Sequence, residues 1–333
     1  MESRGQILVN PASHPSGKPP AVSLQPEWQQ RLEAWRNLLA QCARKPSRKS
    51  IHALRSLTLR VQVGLEHSLQ EQAADRTAAH AFQRWSKGGK KLRKALEPVR
   101  DADVHMARLD SLRDTVGGAS EGESPLSPRC ICEIDKFENR LRRRRQAGID
   151  KLMAVLDAQS KRLNRLSKEM EAALAPQMPS SVPSTAQAAL RIFAGLNSEL
   201  PNPSAANLHA YRKRLKPALY LAQLSATSDP LAKRLAAAFR QIHAAAGEWH
   251  DWQSLALEAD HVLHGHGKHD GLVPVLEALE GKALHRALGQ CRRSAARFLK
   301  DVGEIQPLPP RKPVAADRGS ELAGEFLEAG LSR

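Results

Sequence analysis

Residues 208–222 read LHAYRKRLKPALYLA. On a helix each residue advances about 100°, and the segment then separates into two faces. With His209 at zero, Arg212, Lys213, Lys216 and Tyr220 fall within about 60° of it and form one stripe. Leu208, Tyr211, Leu215, Leu219 and Ala222 gather between about 200° and 280°, a second face suited to a core. The segment is therefore a cationic helix with a buried side. Pro217 leaves one backbone carbonyl without a donor, so a bend is expected there.

Residues 48–69 are a diluted version of the same helix. With His52 at zero, Arg48, Lys49, Arg55 and Arg60 lie within about 80°, with Leu59 and Val63 among them. Ile51, Leu54, Val61, Leu65 and Leu69 form its core face. A second pair of landmarks follows in each case, Arg100-Asp101 after the first helix and His250-Asp251 after the second. Both landmarks recur in the same order about 150 residues on, which indicates an internal duplication.

Outward from these helices the periodicity continues. From Glu27 to about Val302 nearly every segment is helical, and the sustained alternation of a strand is missing. Polar breaks at 116–129, 175–184 and 264–271 leave eight expected helices. These are 27–44, 48–71, 76–114, 130–174, 184–199, 204–226, 229–263 and 273–302. Pro98 is expected to bend the third. Four helices precede the mid-chain linker and four follow it, so the fold class is all-α, as two up-down four-helix bundles. The expected organisation is a disordered leader at 1–25 and a helical region at 26–303. That region divides into a first bundle at 26–175, a linker at 176–183 and a second bundle at 184–303. A Pro-containing tail occupies 304–333.

The 333 residues carry 51 Lys and Arg against 35 Asp and Glu, a net charge of +16 that favours polyanionic partners. Aromatic residues make up 4%, too few for a protein that stacks bases on rings. No apolar run approaches the roughly 18 residues of a membrane span, so no membrane association is expected. Four cysteines in a chain of this length do not make a disulfide framework, and a reduced, cytoplasmic protein is expected. Two further helices carry basic rows. Lys282, Arg286, Arg293, Arg297 and Lys300 stack along the eighth, with no acid between Lys282 and Lys300 to neutralise them within the helix. Lys136, Arg140, Arg143, Arg144 and Lys151 do nearly the same on the fourth.

The motifs His52-Ala-Leu-Arg55…Arg60 and His209-Ala-Tyr-Arg212-Lys213…Lys216…Tyr220 resemble the His-x-x-Arg openings of the CHAD domain, the conserved-histidine α-helical domain family. Gly247-Glu248-Trp249-His250-Asp251 resembles the second element of that family. Glu97-Pro98-Val99-Arg100-Asp101 does so with Glu97 where glycine is usual. The resemblance spans roughly 27–302. It implies two bundles related by a pseudo-twofold axis, binding of inorganic polyphosphate in a basic groove, and association with polyphosphate granules. Leu59, Gln62 and Leu219 stand where the family is basic, so the first-half site is expected to bind more weakly.

The candidate polyphosphate-binding residues are Arg48, His52, Arg55, Arg60, Arg140, Arg143, Arg144, His209, Arg212, Lys213, Lys216, Arg286, Arg293 and Arg297. Arginine holds two oxygens of one phosphate and lysine acts as a point charge, so rows of both suit a phosphate chain. His52 and His209 are open to three roles: imidazolium donors, neutral rings that orient an arginine, or structural groups. Asp101 and Asp251 are expected as orienting partners of the cations. No catalytic residue, metal or cofactor is expected. The histidines from His261 to His269 sit in a Gly-rich loop without a second ligand set. Glu121-Gly-Glu123 lacks the lysine of the tunnel enzymes that often accompany CHAD domains. Two other readings stay open: a nucleic-acid-binding protein using the same rows, and an enzyme acting on phosphoanhydrides at His52 or His209.

Overall fold

A computed structural model describes residues 25–71, 76–117, 126–175, 185–263 and 271–299. The expected leader, linker and tail lie outside the described residues, as does most of the histidine loop. The described residues form eight α-helices and no strand. They are α1 (Gln25–Arg44), α2 (Arg48–Glu71), α3 (Arg76–Gly117), α4 (Pro128–Leu174), α5 (Thr185–Glu199), α6 (Leu208–Leu224), α7 (Pro230–Leu263) and α8 (Leu272–Phe298). The architecture is the expected all-α pair of bundles.

Local chemistry fixes the helix starts. Ser47 and Ser50 cap each other's backbone N–H at the head of α2, at 3.0 and 3.1 Å. Ser127 accepts from the Cys130 N–H before Pro128 opens α4. Asp229 Oδ1 accepts from the Leu231 and Ala232 N–H groups at 2.7 and 3.2 Å, with Pro230 first in α7. α6 begins at Leu208 rather than at the expected position 204, because Asn207 folds back. Its Oδ1 accepts from the Ser204 N–H at 2.8 Å and holds that segment as a turn. Pro98 and Pro217 both lie inside continuous helices.

Two apolar cores hold the helices. One gathers α1, α2, the first half of α3 and the second half of α4 around Trp35 and Trp85. Their rings meet edge to face at 5.4 Å, and Trp35 Nε1 donates to Thr58 Oγ1 at 2.8 Å. The other gathers α5 to α8 around Phe193, Tyr211 and Phe239. It also takes in Leu109 and Leu112 of α3 and Ile134, Phe137 and Leu141 of α4. The far end of the α3–α4 hairpin thus packs into the second-half core. Glu133 on α4 strengthens that junction by capping α8, where Leu272 N–H donates to its Oε2 at 2.7 Å. A Cβ at position 271 would lie 2.7 Å from the same oxygen, so a larger residue there would displace the capping carboxylate.

The two halves meet through equivalent helices, α2 against α6 and α3 against α7. The cation-bearing faces of α2 and α6 are brought together by this contact.

Candidate functional site

The core face read on α6 is buried at all five positions, Leu208, Tyr211, Leu215, Leu219 and Ala222. On α2, Ile51, Leu54, Val61 and Leu65 are fully buried. With these faces anchored, the cationic stripes turn toward the seam where α2, α3, α6 and α7 meet. Arg212 is 9% exposed and Tyr220 8%, so much of the α6 stripe faces protein rather than bulk water.

Charges from all four helices act on one another there. Burial, then Arg212, Arg55, Arg100 and Lys213, pull the Lys216 ammonium down to about 7. Burial, then His250, Lys213, Arg212 and Lys216, pull His209 down to about 4. Its ring centroid lies 4.3 Å from that of His250, which burial, Arg212 and Arg100 also hold at about 4. His243 is held at about 3 by burial, then Arg212, Lys216 and Arg100. His52 is lowered by burial and by Arg100, Arg60, Arg55 and Arg48. Neutral imidazoles therefore stand among permanently charged guanidinium groups at neutral pH.

Several polar nitrogens here have no partner. Arg212 Nε, His209 Nδ1, His250 Nδ1 and His243 Nε2 are buried without a hydrogen-bond partner among the described residues. A buried polar group left unmatched costs about 1–3 kcal/mol, so four in one neighbourhood mark a place suited to a polar partner. Acids satisfy the cations unequally. Arg100 Nη1 donates to Asp101 at 2.9 Å, and Asp251 accepts from Arg100 at 3.5 Å and Arg108 at 3.3 Å. Arg55 donates to the Arg93 carbonyl and to Glu97 Oε1, each at 3.1 Å. Arg60 lies over the Tyr220 ring, 5.8 Å from its centroid.

Of the residues singled out in the sequence, Arg48, His52, Arg55, Arg60, His209, Arg212, Lys213 and Lys216 come together at this seam. Those of α4 and α8 are not among the leading charges acting on it. Arg140 and Arg143 are exposed on α4, and Arg144 pairs with Glu258 of α7. Arg286 pairs with Glu248 at 2.8 Å, Arg293 donates to Gln290 Oε1 at 2.8 Å, and Arg297 lies over the Phe298 ring. α8 has no acid between Lys282 and its end, but α7 supplies one from outside the helix, so Arg286 of that row is neutralised by Glu248. Four residues absent from the sequence-based set join the site: Arg93, Arg100, His243 and His250. Their signal is a seven-residue spacing that puts Arg93 and Arg100, and likewise His243 and His250, on one helical face.

A family model for the CHAD domain matches residues 28–252, through α1 to most of α7. The chain belongs to the CHAD domain family. Among solved structures, PptA from Streptomyces chartreusis is similar in fold, with a TM-score of 0.51 at 15% identity. The similarity covers 83% of this chain and 99% of that one. No curated protein matches the sequence significantly. The CHAD match includes both His-x-x-Arg openings and both Asp-containing elements, so the four landmarks lie within the family region and α8 lies beyond it. None of the helices among the described residues is long and apolar enough to cross a membrane.

Proposed function

We propose that this CHAD domain binds inorganic polyphosphate at the α2–α6 seam without cleaving it, and that it associates with polyphosphate granules in the cytoplasm. The observation that carries the reading is Arg212: nine-tenths buried, central to the cation cluster, and with an unpartnered Nε. Phosphate chains offer oxygens at every unit and no bases, so closely set fixed donors serve them and aromatic platforms do not. The one aromatic ring of the stripe, Tyr220, is already covered by Arg60. Arg55, Arg100 and Arg212 supply planar forks, Lys213 supplies a point charge, Lys216 supplies another on taking up a proton, and His209 and His250 supply further nitrogens. Association is electrostatic and falls steeply with salt, at roughly 0.7 counterion per contact by analogy with single strands.

Competition tests this reading. Long-chain polyphosphate is expected to displace a labelled polyphosphate far better than DNA or RNA of equal charge; the reverse order overturns it in favour of a nucleic-acid partner. Incubation with polyphosphate and Mg²⁺ or Mn²⁺ is expected to release no phosphate above buffer. Release that disappears in His52→Ala or His209→Ala would make the protein an enzyme.

A further inference from the structure

From Arg76 to Leu96, α3 contains no acidic residue. With Gly88 at zero, His80, Arg84, Lys87, Lys91 and Lys94 fall between about −40° and −120°, one row that climbs about 21 Å along the helix. All five are exposed. The neighbours of α3 fix where this row looks. Gly88 faces α4, where a Cβ would lie 2.6 Å from Leu163 Cδ2. Gly89 faces α2, where a Cβ would lie 3.0 Å from Thr58 Cγ2. Arg93, which joins the seam and donates to Gln62 of α2 at 2.6 Å, lies on that same side. The row therefore occupies the flank of α3 that is turned away from the seam. Arg84 pairs with Glu169, which sets the side of α4 that borders the row. Arg162, two turns before Glu169, stands on that side of α4 and is exposed. Glu169 is shared between Arg84 and Arg165, the latter at 3.5 Å. No carboxylate pairs with Lys87, Lys91, Lys94 or Arg162 among the described residues. Like charges three and four residues apart repel and oppose folding, so a row of one sign is explained by a ligand rather than by stability.

We propose that this flank of the α3–α4 hairpin is a second polyphosphate surface, and that one protein molecule thereby bridges two strands of the polymer. The bridge rests on the reading of the seam as a polyphosphate site. Seam and flank lie on opposite sides of α3, so one straight stretch of chain cannot cover both. They also differ in kind. The seam holds its ligand with buried groups such as Arg212, whereas the flank offers long exposed side chains whose contacts are individually weak and screened by salt. Steps of three and four residues place a cation about every 5 Å, which suits an extended polymer of regular charge. The nearby rings, Trp85 and Phe82, pack into the core, so none is offered to a base. The large apolar side chains exposed among the described residues, Ile131 and Leu257, lie elsewhere, so nothing on the flank inserts into lipid. A long chain seated in the seam of one molecule and on the flank of another joins the two, and repeated joining builds a network.

The test compares the full chain with a variant carrying Lys87→Gln, Lys91→Gln, Lys94→Gln and Arg162→Gln together, its folding verified by circular dichroism. A short labelled polyphosphate at physiological salt is expected to bind both within about twofold, because the seam supplies the tight contacts. Long-chain polyphosphate is expected to gather the wild type into light-scattering assemblies that dissolve again when polymer is in excess. The variant is expected to scatter at least about fivefold less, since each molecule then holds a single strand. Arg212→Gln with Lys216→Gln is expected to keep a residual, strongly salt-dependent binding that disappears when the four flank changes are added. A wild type that stays dispersed with long chains, or a flank variant as turbid as the wild type, overturns the bridge and leaves the seam reading standing. If that equally turbid variant has lost affinity for RNA or for phosphatidylserine vesicles, the flank serves that partner instead. Loss of short-chain binding in the flank variant, with the seam variant binding as wild type, sustains the flank surface and overturns the seam reading.

Discussion

The Arg55 guanidinium on α2 donates to Glu97 Oε1 on α3 across 3.1 Å. The duplicated half places Arg212 and Gly247 in the corresponding positions. There a Cβ on Gly247 would lie 3.6 Å from Arg212 Nε, and no carboxylate occupies the place of Glu97. One half spends its leading arginine on an internal ion pair, while in the other Arg212 feels the charge of Asp251 and its Nε has no partner among the described residues. Glu97 in one half and Gly247 in the other make the two arginine settings asymmetric despite the duplication.

Replacing Glu97 with Gln is expected to release Arg55 and tighten polyphosphate binding several-fold. The pair is half-exposed, and such pairs are worth about 0.2–1 kcal/mol. Titration of the variant against a labelled polyphosphate checks this, and unchanged or weaker binding counts against a role for Arg55 in the ligand site.

The asymmetry also ranks the halves. Arg212→Gln combined with Lys216→Gln is expected to weaken binding on the order of a hundredfold, and Arg55→Gln with Arg60→Gln on the order of tenfold, at low salt. The first pair is also expected to flatten the salt dependence more. Circular dichroism confirms folding of each variant. Equal losses contradict the ranking.

Acid pH has opposite effects on the empty and the occupied protein. His209 and His250 are lowered from 6.5 to about 4, so the unfolded chain binds more protons than the folded one between those values. Stability therefore declines as pH falls through that window. A polyanion favours the imidazolium forms, so binding takes up protons and strengthens as pH falls. Calorimetry in buffers of different ionisation enthalpy reads the uptake directly. Binding that releases protons, or is indifferent to them, contradicts this account of the histidines.

A separate network ties the halves together. His105 of α3 is 5% exposed and lies between Glu258 and Ser254 of α7, at 3.0 and 2.9 Å. The carboxylate only accepts, so Nδ1 donates to it, while Nε2 meets the Ser254 hydroxyl, which also donates to the Asp251 carbonyl at 3.2 Å. His105→Ala is expected to cost about 1–3 kcal/mol in urea unfolding, because both partners lose a buried bond. Polyphosphate affinity is expected to change little. A large loss of affinity at unchanged stability would place His105 in the ligand site.

The helices and their core faces were legible because each is a property of one segment: apolar spacing, a Pro or Ser at the start, a polar break at the end. The five core residues of α6 and the shared faces of the eight basic and histidine residues on α2 and α6 followed from that spacing. What periodicity within one helix does not encode is which neighbour a face meets. The spacing of Arg93 with Arg100 and of His243 with His250 was present in the sequence, but only the meeting of α3 and α7 with α2 and α6 makes it a site. For the same reason the α4 and α8 rows read as equals of the α6 stripe, while Glu258 and Glu248 of α7 in fact pair with Arg144 and Arg286. The start of α6 was misplaced because the Asn207 turn competes with helix through a side-chain bond.

The most direct test is a crystal structure with a short polyphosphate of defined length. Phosphate density is expected at the seam of α2 and α6, within hydrogen-bonding reach of Arg212, Arg100 and His209. Density confined to the exposed faces of α4 or α8, with the seam empty, would contradict the account.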